Sequence, residues 1–197
     1  MTKIRNIFKR HIILLLFISV LNSNAQNVFI QNKGQFPKQV QAKVNLPSGA
    51  LFIEQGSLIY SFYSQEQLAA VHDLSRTNKK IDAHSYVMDF INSNTDVSIE
   101  LLEESKYYEN YFVGDKSKWA ANVRSYKSLY QKNVYNGVDV EYYIDKDKLK
   151  YDIILSPHTS PKKIKLKYTG LNKIRLNTGD VYFTTTVNTV KERQQYA

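Results

Sequence analysis

The residues best suited to chemistry are carboxylates on both sides of a short polar turn at residues 145–147. If two strands meet around the last two residues of this turn, Glu141 faces Asp152 across a hairpin. Asp139 then shares their face, because side chains alternate along a strand. Two facing carboxylates could act as the acid and base of a hydrolase or bind calcium. Alternatively, a nearby lysine neutralises them, or the register differs by one residue.

The turn also offers a separate calcium candidate, the pair Asp145 and Asp147. The segment lacks the Gly and the terminal Glu of an EF-hand loop, so this pair matches only part of that pattern. A zinc site is not predicted, because His72, His84 and His158 lie far apart and the chain has no cysteine. No cofactor is predicted either.

Tyrosine is the unusual residue of this chain, with 15 copies, nine of them within residues 107–151. Aromatic residues that alternate along a sheet usually fill its core, which is the prediction for Tyr142. Neighbouring tyrosines must point to opposite faces of a strand, so some of these rings are expected at the surface. Tyr107, Tyr108 and Tyr143 are therefore candidates for a ligand surface that could stack on a glycan.

Several classes of function are not supported by the sequence. It has no nucleophile elbow, no phosphate-binding glycine loop and no zinc-protease motif, and we predict a non-enzymatic protein. The formal net charge is +9, but the lysines at 162–167 are interpreted as the solvated face of an edge strand. Nucleic-acid binding is not predicted, since it needs a wider basic surface and a binding fold.

Residues 1–25 have the features of a secretory signal peptide. Four basic residues come first, an apolar run follows at 12–21, and Ser23-Asn24-Ala25 supplies a small-x-small cleavage pattern. This run is shorter than the roughly 20 residues that span a bilayer, and a retained single-helix anchor is the alternative. No later stretch is apolar enough to predict a membrane helix. Cleavage would remove the four basic residues and lower the net charge to +5.

Residues 26–197 are predicted to form one all-β domain, an antiparallel β-sandwich with at most one or two short helices. The basis is a series of short β-rich runs separated by turn residues. A boundary near 76–82 is an alternative. The helix is predicted at 65–74, with Ser64 as its N-cap and Gln67 completing a capping box.

Five local expectations follow from the same pattern. Strands are predicted at 97–102, at 107–113 and at 162–168. Trp119 is expected to plug one end of the sandwich, because its N–H needs a partner when buried. Gly49 lies at a strand end, where a positive φ is often required.

Motifs along residues 28–196 resemble a domain of unknown function from the N-terminus of secreted and surface proteins of Bacteroidetes. That domain opens with FxENKGQxP, and this chain has FIQNKGQFP at 29–37. Further matches follow in the same order. They are HSYVMDF at 84–90, NYFVG at 110–114, KWAANV at 118–123, YNGVDVEYY at 135–143 and KYD at 150–152.

The resemblance implies architecture more than activity. Such domains look like β-sandwich modules that precede β-propeller-type repeats, Ig-like or PKD-like domains and a sorting domain of type IX secretion. The resemblance supplies no catalytic residues. It implies an extracellular or cell-surface location, with the periplasm as the alternative if the chain ends at Ala197, and downstream domains of the same polypeptide as neighbours.

The leading prediction is therefore an exported, non-catalytic structural or adhesive module of a larger cell-surface protein. Its partner would be a glycan or another surface protein. The first alternative is a carbohydrate-binding module that uses exposed tyrosines. The second is a hydrolase that uses Glu141 and Asp152.

Overall fold

The fold is known from a computed structural model that describes residues 27–72, 80–146 and 148–194. The predicted signal peptide at 1–25, most of the predicted boundary at 76–82 and Asp147 lie outside the described residues. The described residues form thirteen strands, one short α-helix and three turns of 3₁₀ helix.

The strands of the large sheet are β1 (Phe29–Gln31), β2 (Ala42–Leu46), β3 (Gly49–Glu54), β4 (Ser57–Tyr63), β5 (Ala83–Phe90), β6 (Ser98–Tyr111), β7 (Ala120–Tyr135), β8 (Val138–Asp145), β9 (Lys148–Leu155) and β10 (Leu166–Thr169). A second sheet contains β11 (Lys173–Asn177), β12 (Asp180–Thr184) and β13 (Thr189–Glu192). The helix α1 is Gln65–Ala69, and the 3₁₀ turns are Ala70–His72, Lys116–Lys118 and Pro161–Lys163.

Every strand pairing in both sheets is antiparallel, which confirms the predicted all-β antiparallel class. The ten-stranded sheet has the order β10-β5-β4-β3-β2-β1-β7-β8-β9, and β6 pairs with the other edge of β7. Strand β7 pairs with β1 at Ser125 and Tyr126 and with β8 from Ser128 onwards. It therefore connects the two halves of the sheet.

The sheet curls so that its two halves enclose one hydrophobic core. Leu51 and Met88 come from the first half and Leu129 and Val140 from the second, and all four belong to one buried cluster. Burying such side chains is worth about 1.5–3 kcal/mol each before the cost of ordering the chain. The core thus forms only when the halves close on each other.

One buried amide links the two halves directly. Gln131 on β7 is fully buried, and its Nε2 donates to the backbone carbonyl of Glu54 on β3 at 2.8 Å. Its Oε1 lies 3.4 Å from the hydroxyl of Tyr142 on β8. Both polar ends of the amide are therefore satisfied inside the core, as burial requires.

The small sheet packs against the large one through aromatic and polar contacts. Phe183 on β12 is buried, and its ring lies 4.7 Å from that of Tyr168 and 6.0 Å from that of Tyr86. The Tyr151 hydroxyl on β9 donates to Glu192 on β13 at 2.6 Å. These contacts hold the small sheet against the tyrosine-rich end of the core.

The predicted helix is shorter in the structure, where α1 ends at Ala69 and a 3₁₀ turn follows. Ser64 is the N-cap as predicted, and its side chain accepts from the Gln67 N–H at 3.4 Å. The predicted capping box is wrong. The Gln67 side chain instead donates to the Asp82 carboxylate and accepts from the Asp82 N–H, because Asp82 lies beside the first turn.

The predicted strands at 97–102 and 107–113 are one strand, β6, whose pairing with β7 shifts register after Glu104. The predicted strand at 162–168 is wrong in its first half. There, Ser160 caps a 3₁₀ turn that begins with Pro161, and pairing starts only at Leu166. Proline suits the first position of such a turn, because it has no N–H to leave unpaired.

The expectation of a positive φ at Gly49 is also wrong, because this residue keeps an ordinary strand conformation. Glycine is needed here for space. A Cβ on Gly49 would lie 2.1 Å from the Ser61 carbonyl oxygen on the neighbouring strand β4.

We expect Gly49→Ala to lower the free energy of unfolding by about 1–3 kcal/mol, because β3 and β4 must separate locally to admit the methyl group. Urea unfolding followed by circular dichroism measures this loss. The exposed strand residue Asn45, which pairs with Ala50, provides the control as Asn45→Ala. Equal stability of the two variants would contradict the steric explanation.

Core tyrosines make the fold sensitive to alkali. Burial raises the pKa of Tyr86 and Tyr142 well above the ordinary value of 10, because a phenolate is poorly solvated in the core. The folded state therefore keeps protons that the unfolded state releases above about pH 10. The contribution of the protonated core tyrosines to stability is fully present below about pH 10. It is lost as the pH rises towards the pKa values that these tyrosines have in the folded state.

We expect the free energy of unfolding to fall above about pH 10, by about 1.4 kcal/mol per pH unit for each core tyrosine. Tyrosinate absorbance should rise together with the loss of the circular dichroism signal. Tyr86→Phe should make the decline shallower by about one proton. Ionisation of all tyrosines before unfolding would contradict the prediction.

Candidate functional site

The hairpin around residues 145–147 has the predicted register. Glu141 pairs with Asp152, Tyr142 with Tyr151, and Tyr143 with Lys150. Tyr142 is buried in the core, so the faces are also assigned correctly. The period-two pattern settled this part of the fold because a shift of one residue would have put every core side chain into solvent.

The outer face of this hairpin carries a row of acidic groups that extends over four strands. Glu100 on β6 pairs with Tyr130 on β7, Tyr130 pairs with Glu141 on β8, and Glu141 pairs with Asp152 on β9. We call Glu100, Asp139, Glu141 and Asp152 the carboxylate face. The structure thus brings together the three carboxylates that the sequence singled out and adds Glu100 from β6.

Two members of the carboxylate face accept hydrogen bonds that hold the sheet. Asp139 accepts from the Tyr130 hydroxyl and from the Asn133 N–H, both at 2.7 Å. Asn133 has a positive φ of 64°, so this bond supports an irregular point of β7. Asp152 lies 3.3 Å from the Tyr143 hydroxyl.

The bond to Asp139 also sets the acidity of Tyr130. This hydrogen bond, with burial and the charges of Asp139, Glu141 and Glu100, raises the pKa of Tyr130 to about 12. A tyrosine with a raised pKa stays protonated and donates to the carboxylate. The arrangement is therefore suited to fixing Asp139 as an acceptor.

Asp145, half of the candidate calcium pair, forms an ion pair with Lys150. The hydrogen bond from Lys150 lowers the pKa of Asp145. Lys150 thus neutralises Asp145, and among the described residues no salt bridge reaches Asp139, Glu141 or Asp152, the carboxylates for which a neutralising lysine was the alternative. Within residues 27–72, 80–146 and 148–194, no group of three His, Asp or Glu side chains could hold a metal.

The three candidate tyrosines do not form one surface. Tyr107 and Tyr108 are each about half exposed, but they are consecutive residues of β6 and point to opposite faces. Tyr143 lies opposite Ser128, four positions along β7 from the partner of Tyr108. The Tyr143 ring is only partly exposed and hydrogen-bonds to the carboxylate face.

The turn between β6 and β7 carries an apolar cluster that the sequence analysis missed. We call it the aromatic end; it consists of Phe112, Val113 and Trp119, with exposed fractions of 55%, 85% and 44%. The expectation that Trp119 plugs the sandwich is wrong, because the turn projects past the last paired residues, Tyr111 and Ala120. Apolar residues on both sides of a polar Gly-Asp turn were the sequence signal for it.

A second unpredicted feature is an open cleft of about 450 Å³ between three segments. We call it the lysine cleft. Its lining residues are Ile91, Asn92, Asn94, Tyr135, Asn136, Ser160, Lys162, Lys163 and Lys165. The Ser-Pro pair at 160–161 was the available sequence signal, because it begins a 3₁₀ turn. Lys162 and Lys163 therefore lie in this turn and not on the predicted strand.

These features describe an all-β domain with chemically distinct surfaces on a curled antiparallel sheet. The chain belongs to the family DUF7948, described as a domain of unknown function, whose profile matches residues 29–197. This agrees with the resemblance to a domain of unknown function. No curated protein and no solved structure matches the chain. In the part of the chain that the structure describes, no helix is long and apolar enough to cross a membrane.

The roles of the carboxylates can be separated by substitution. We expect Asp139→Asn to lower the free energy of unfolding by about 1–3 kcal/mol, because one amide oxygen cannot replace both carboxylate oxygens as acceptors. The pKa of Tyr130 should fall from its value near 12 in this variant. Urea unfolding and a tyrosinate titration referenced to Tyr130→Phe measure the two effects.

Glu141→Gln is the matched control, because Glu141 is partly exposed and makes no hydrogen bond through its side chain to the described residues. Its stability should change by less than about 0.5 kcal/mol. A similar loss of stability in both variants would contradict the structural role of Asp139. Turnover of a glycoside or an ester that Glu141→Gln abolishes would support the hydrolase instead.

Proposed function

We propose that this protein is an exported, non-catalytic adhesion module that binds another protein through its aromatic end. The observation that carries the proposal is the exposure of Trp119, the single tryptophan of the chain, beside Phe112 and Val113. Tryptophan is enriched among the residues that dominate protein interfaces. A partner that covers these side chains would remove their apolar surface from water. Burial of apolar surface is the main driving force of association.

The shape of the aromatic end favours a protein groove over a sugar ring. The rings of Phe112 and Trp119 lie 5.5 Å apart at an interplanar angle of 61°. They form a compact knob and do not share the flat surface on which a sugar would stack. The Trp119 Nε1 lies 3.3 Å from the Gly114 carbonyl oxygen, which holds the indole against the turn.

The charges beside the knob indicate the chemistry of the partner. Lys116 lies over the Trp119 ring at 5.7 Å, and Lys118 is exposed on the same 3₁₀ turn. Asp115 caps this turn by accepting from the Ser117 N–H at 2.9 Å. A groove with an apolar floor and an acidic rim would complement this surface.

Export and a bacterial cell-surface location are part of the same proposal. They are supported by the signal-peptide pattern of residues 1–25 and by the resemblance to N-terminal domains of Bacteroidetes surface proteins. The family match supports membership of a domain family without indicating an activity. On this proposal the domain acts beside other domains of a larger surface protein.

Binding of a carbohydrate by exposed tyrosines is the second candidate. The observation in its favour is that Tyr107 and Tyr108 are both about half exposed on β6. Each ring would have to act alone, because the two side chains lie on opposite faces of the strand. Loss of glycan retention in a folded Tyr108→Ala variant would favour this candidate.

The adhesion proposal can be tested by photo-crosslinking. We expect a benzophenone amino acid in place of Val113, the most exposed of the three apolar residues, to crosslink one surface protein in intact producing cells. Mass spectrometry identifies that protein, and the purified pair should bind saturably. Trp119 emission should shift to shorter wavelength on binding, because a partner would exclude water from the indole.

The double variant Phe112→Ala and Trp119→Ala should weaken this binding by about 30-fold or more, the equivalent of about 2 kcal/mol. The double variant Ile174→Ala and Leu176→Ala is the matched control, since these apolar residues are exposed on β11. Equal binding by the two variants, or crosslinks only to glycan, would overturn the proposal.

A further inference from the structure

The lysine cleft has fixed walls. The Tyr135 hydroxyl at the end of β7 lies 2.9 Å from the Ile91 carbonyl oxygen and 3.3 Å from that of Lys165. The Ile91 N–H also donates to the Lys165 carbonyl at 2.8 Å. The segment after β5 and the segment before β10 are therefore tied together at one end of β7.

Three lysines line this cleft, and the Lys163 ammonium lies 3.5 Å from the Asn136 carbonyl oxygen on its opposite wall. Lys162, Lys163 and Lys165 are all exposed, and no Asp or Glu among the described residues lines the cleft. Among the described residues, none of the three takes part in an ion pair. Three positive charges within four residues of one cleft make its potential positive, which attracts anions.

The neutral groups in the cleft suit a polyhydroxylated ligand. Asn92 and Ser160 are exposed lining residues, and the Ser160 hydroxyl, which accepts from the Lys162 N–H at 3.4 Å, can still donate. The Asn94 amide is fixed by hydrogen bonds to the Asn133 carbonyl and the Asn136 side chain. Amide and hydroxyl groups can both donate to and accept from sugar hydroxyls.

Among the described residues that line the cleft, no aromatic ring is exposed for a nucleic-acid base to stack on. Its one aromatic residue, Tyr135, is 7% exposed, and its ring packs edge-on against Phe90 at 6.4 Å. Binding of single-stranded nucleic acid normally combines a basic groove with exposed aromatic side chains. The combination of lysines with asparagine amides and a serine hydroxyl therefore favours an acidic sugar.

We propose that the lysine cleft binds a segment of an acidic polysaccharide, with the lysines contacting its carboxylate or sulfate groups. Asn92 and Ser160 contact the sugar hydroxyls. This site shares no residue with the aromatic end, and it stands independently of the adhesion proposal. The protein would then carry a glycan site and a protein site on separate parts of its surface.

The test measures binding of fluorescent oligogalacturonate and of dextran sulfate to the purified protein by anisotropy at near-physiological salt. Neutral dextran and a single-stranded oligonucleotide of similar charge are the comparison ligands. We expect saturable binding of at least one acidic glycan, little binding of neutral dextran and weaker binding of the oligonucleotide.

Tighter binding of the oligonucleotide, or no binding of either acidic glycan, would overturn the proposal. Competition by inorganic sulfate as effective as by the glycan, mole for mole, would also overturn it by showing a simple anion site.

The triple variant Lys162→Gln, Lys163→Gln and Lys165→Gln should lose about tenfold or more in affinity. The matched control is Lys106→Gln, Lys132→Gln and Lys173→Gln, which removes the same charge from exposed positions elsewhere. Its affinity should change by less than about threefold. Equal losses of affinity in the two triple variants would show that only the overall charge matters. That result would overturn the proposed binding site.

A second variant, Asn92→Asp, keeps a residue type that tolerates the positive φ of 58° at this position. It adds a negative charge to the cleft and should also weaken binding of the acidic glycan. Thermal unfolding verifies that each variant is folded. Unchanged affinity in folded Asn92→Asp would place the ligand outside the cleft.

Discussion

The structure depends on one strand, β7, being hydrogen-bonded along both of its edges. Strand β6 covers one edge, while β1 and then β8 share the other, and the change from β1 to β8 falls between Tyr126 and Ser128. At this point the sheet passes from one half to the other. A single long strand common to both halves requires the sheet to curl, and the curl brings Leu51 and Leu129 into one core.

The same strand organises all three surfaces with functional potential. The aromatic end lies directly before Ala120, where β7 begins, and the carboxylate face is built around Tyr130 in its second half. The lysine cleft lies at Tyr135, where β7 ends. A single strand of 16 residues thus separates chemically different groups and places each of them relative to one core. Within the carboxylate face, Asp139 is used internally as a hydrogen-bond acceptor, whereas Phe112, Val113 and the cleft lysines are exposed to solvent.

Several parts of this arrangement followed from the sequence for identifiable reasons. The β8–β9 register, with Glu141 opposite Asp152, followed from period-two patterning around a short turn. The Ser64 cap followed from the local preference of a serine side chain for free N–H groups. The predictions for Gln67 and Trp119 failed because each depends on a distant neighbour: Asp82 captures the first, and the projecting turn keeps the second outside the core.

By itself, the sequence determined the all-β class, most strand positions and the face on which each hairpin side chain lies. These properties depend on alternation and turn chemistry within a few residues. Only the tertiary structure decided that β7 joins the two halves, that Gln131 bonds to Glu54 across the core, and that Lys162 and Lys165 line a cleft with Asn92. Such contacts join residues far apart in the chain, and no local pattern specifies which of many distant segments will meet.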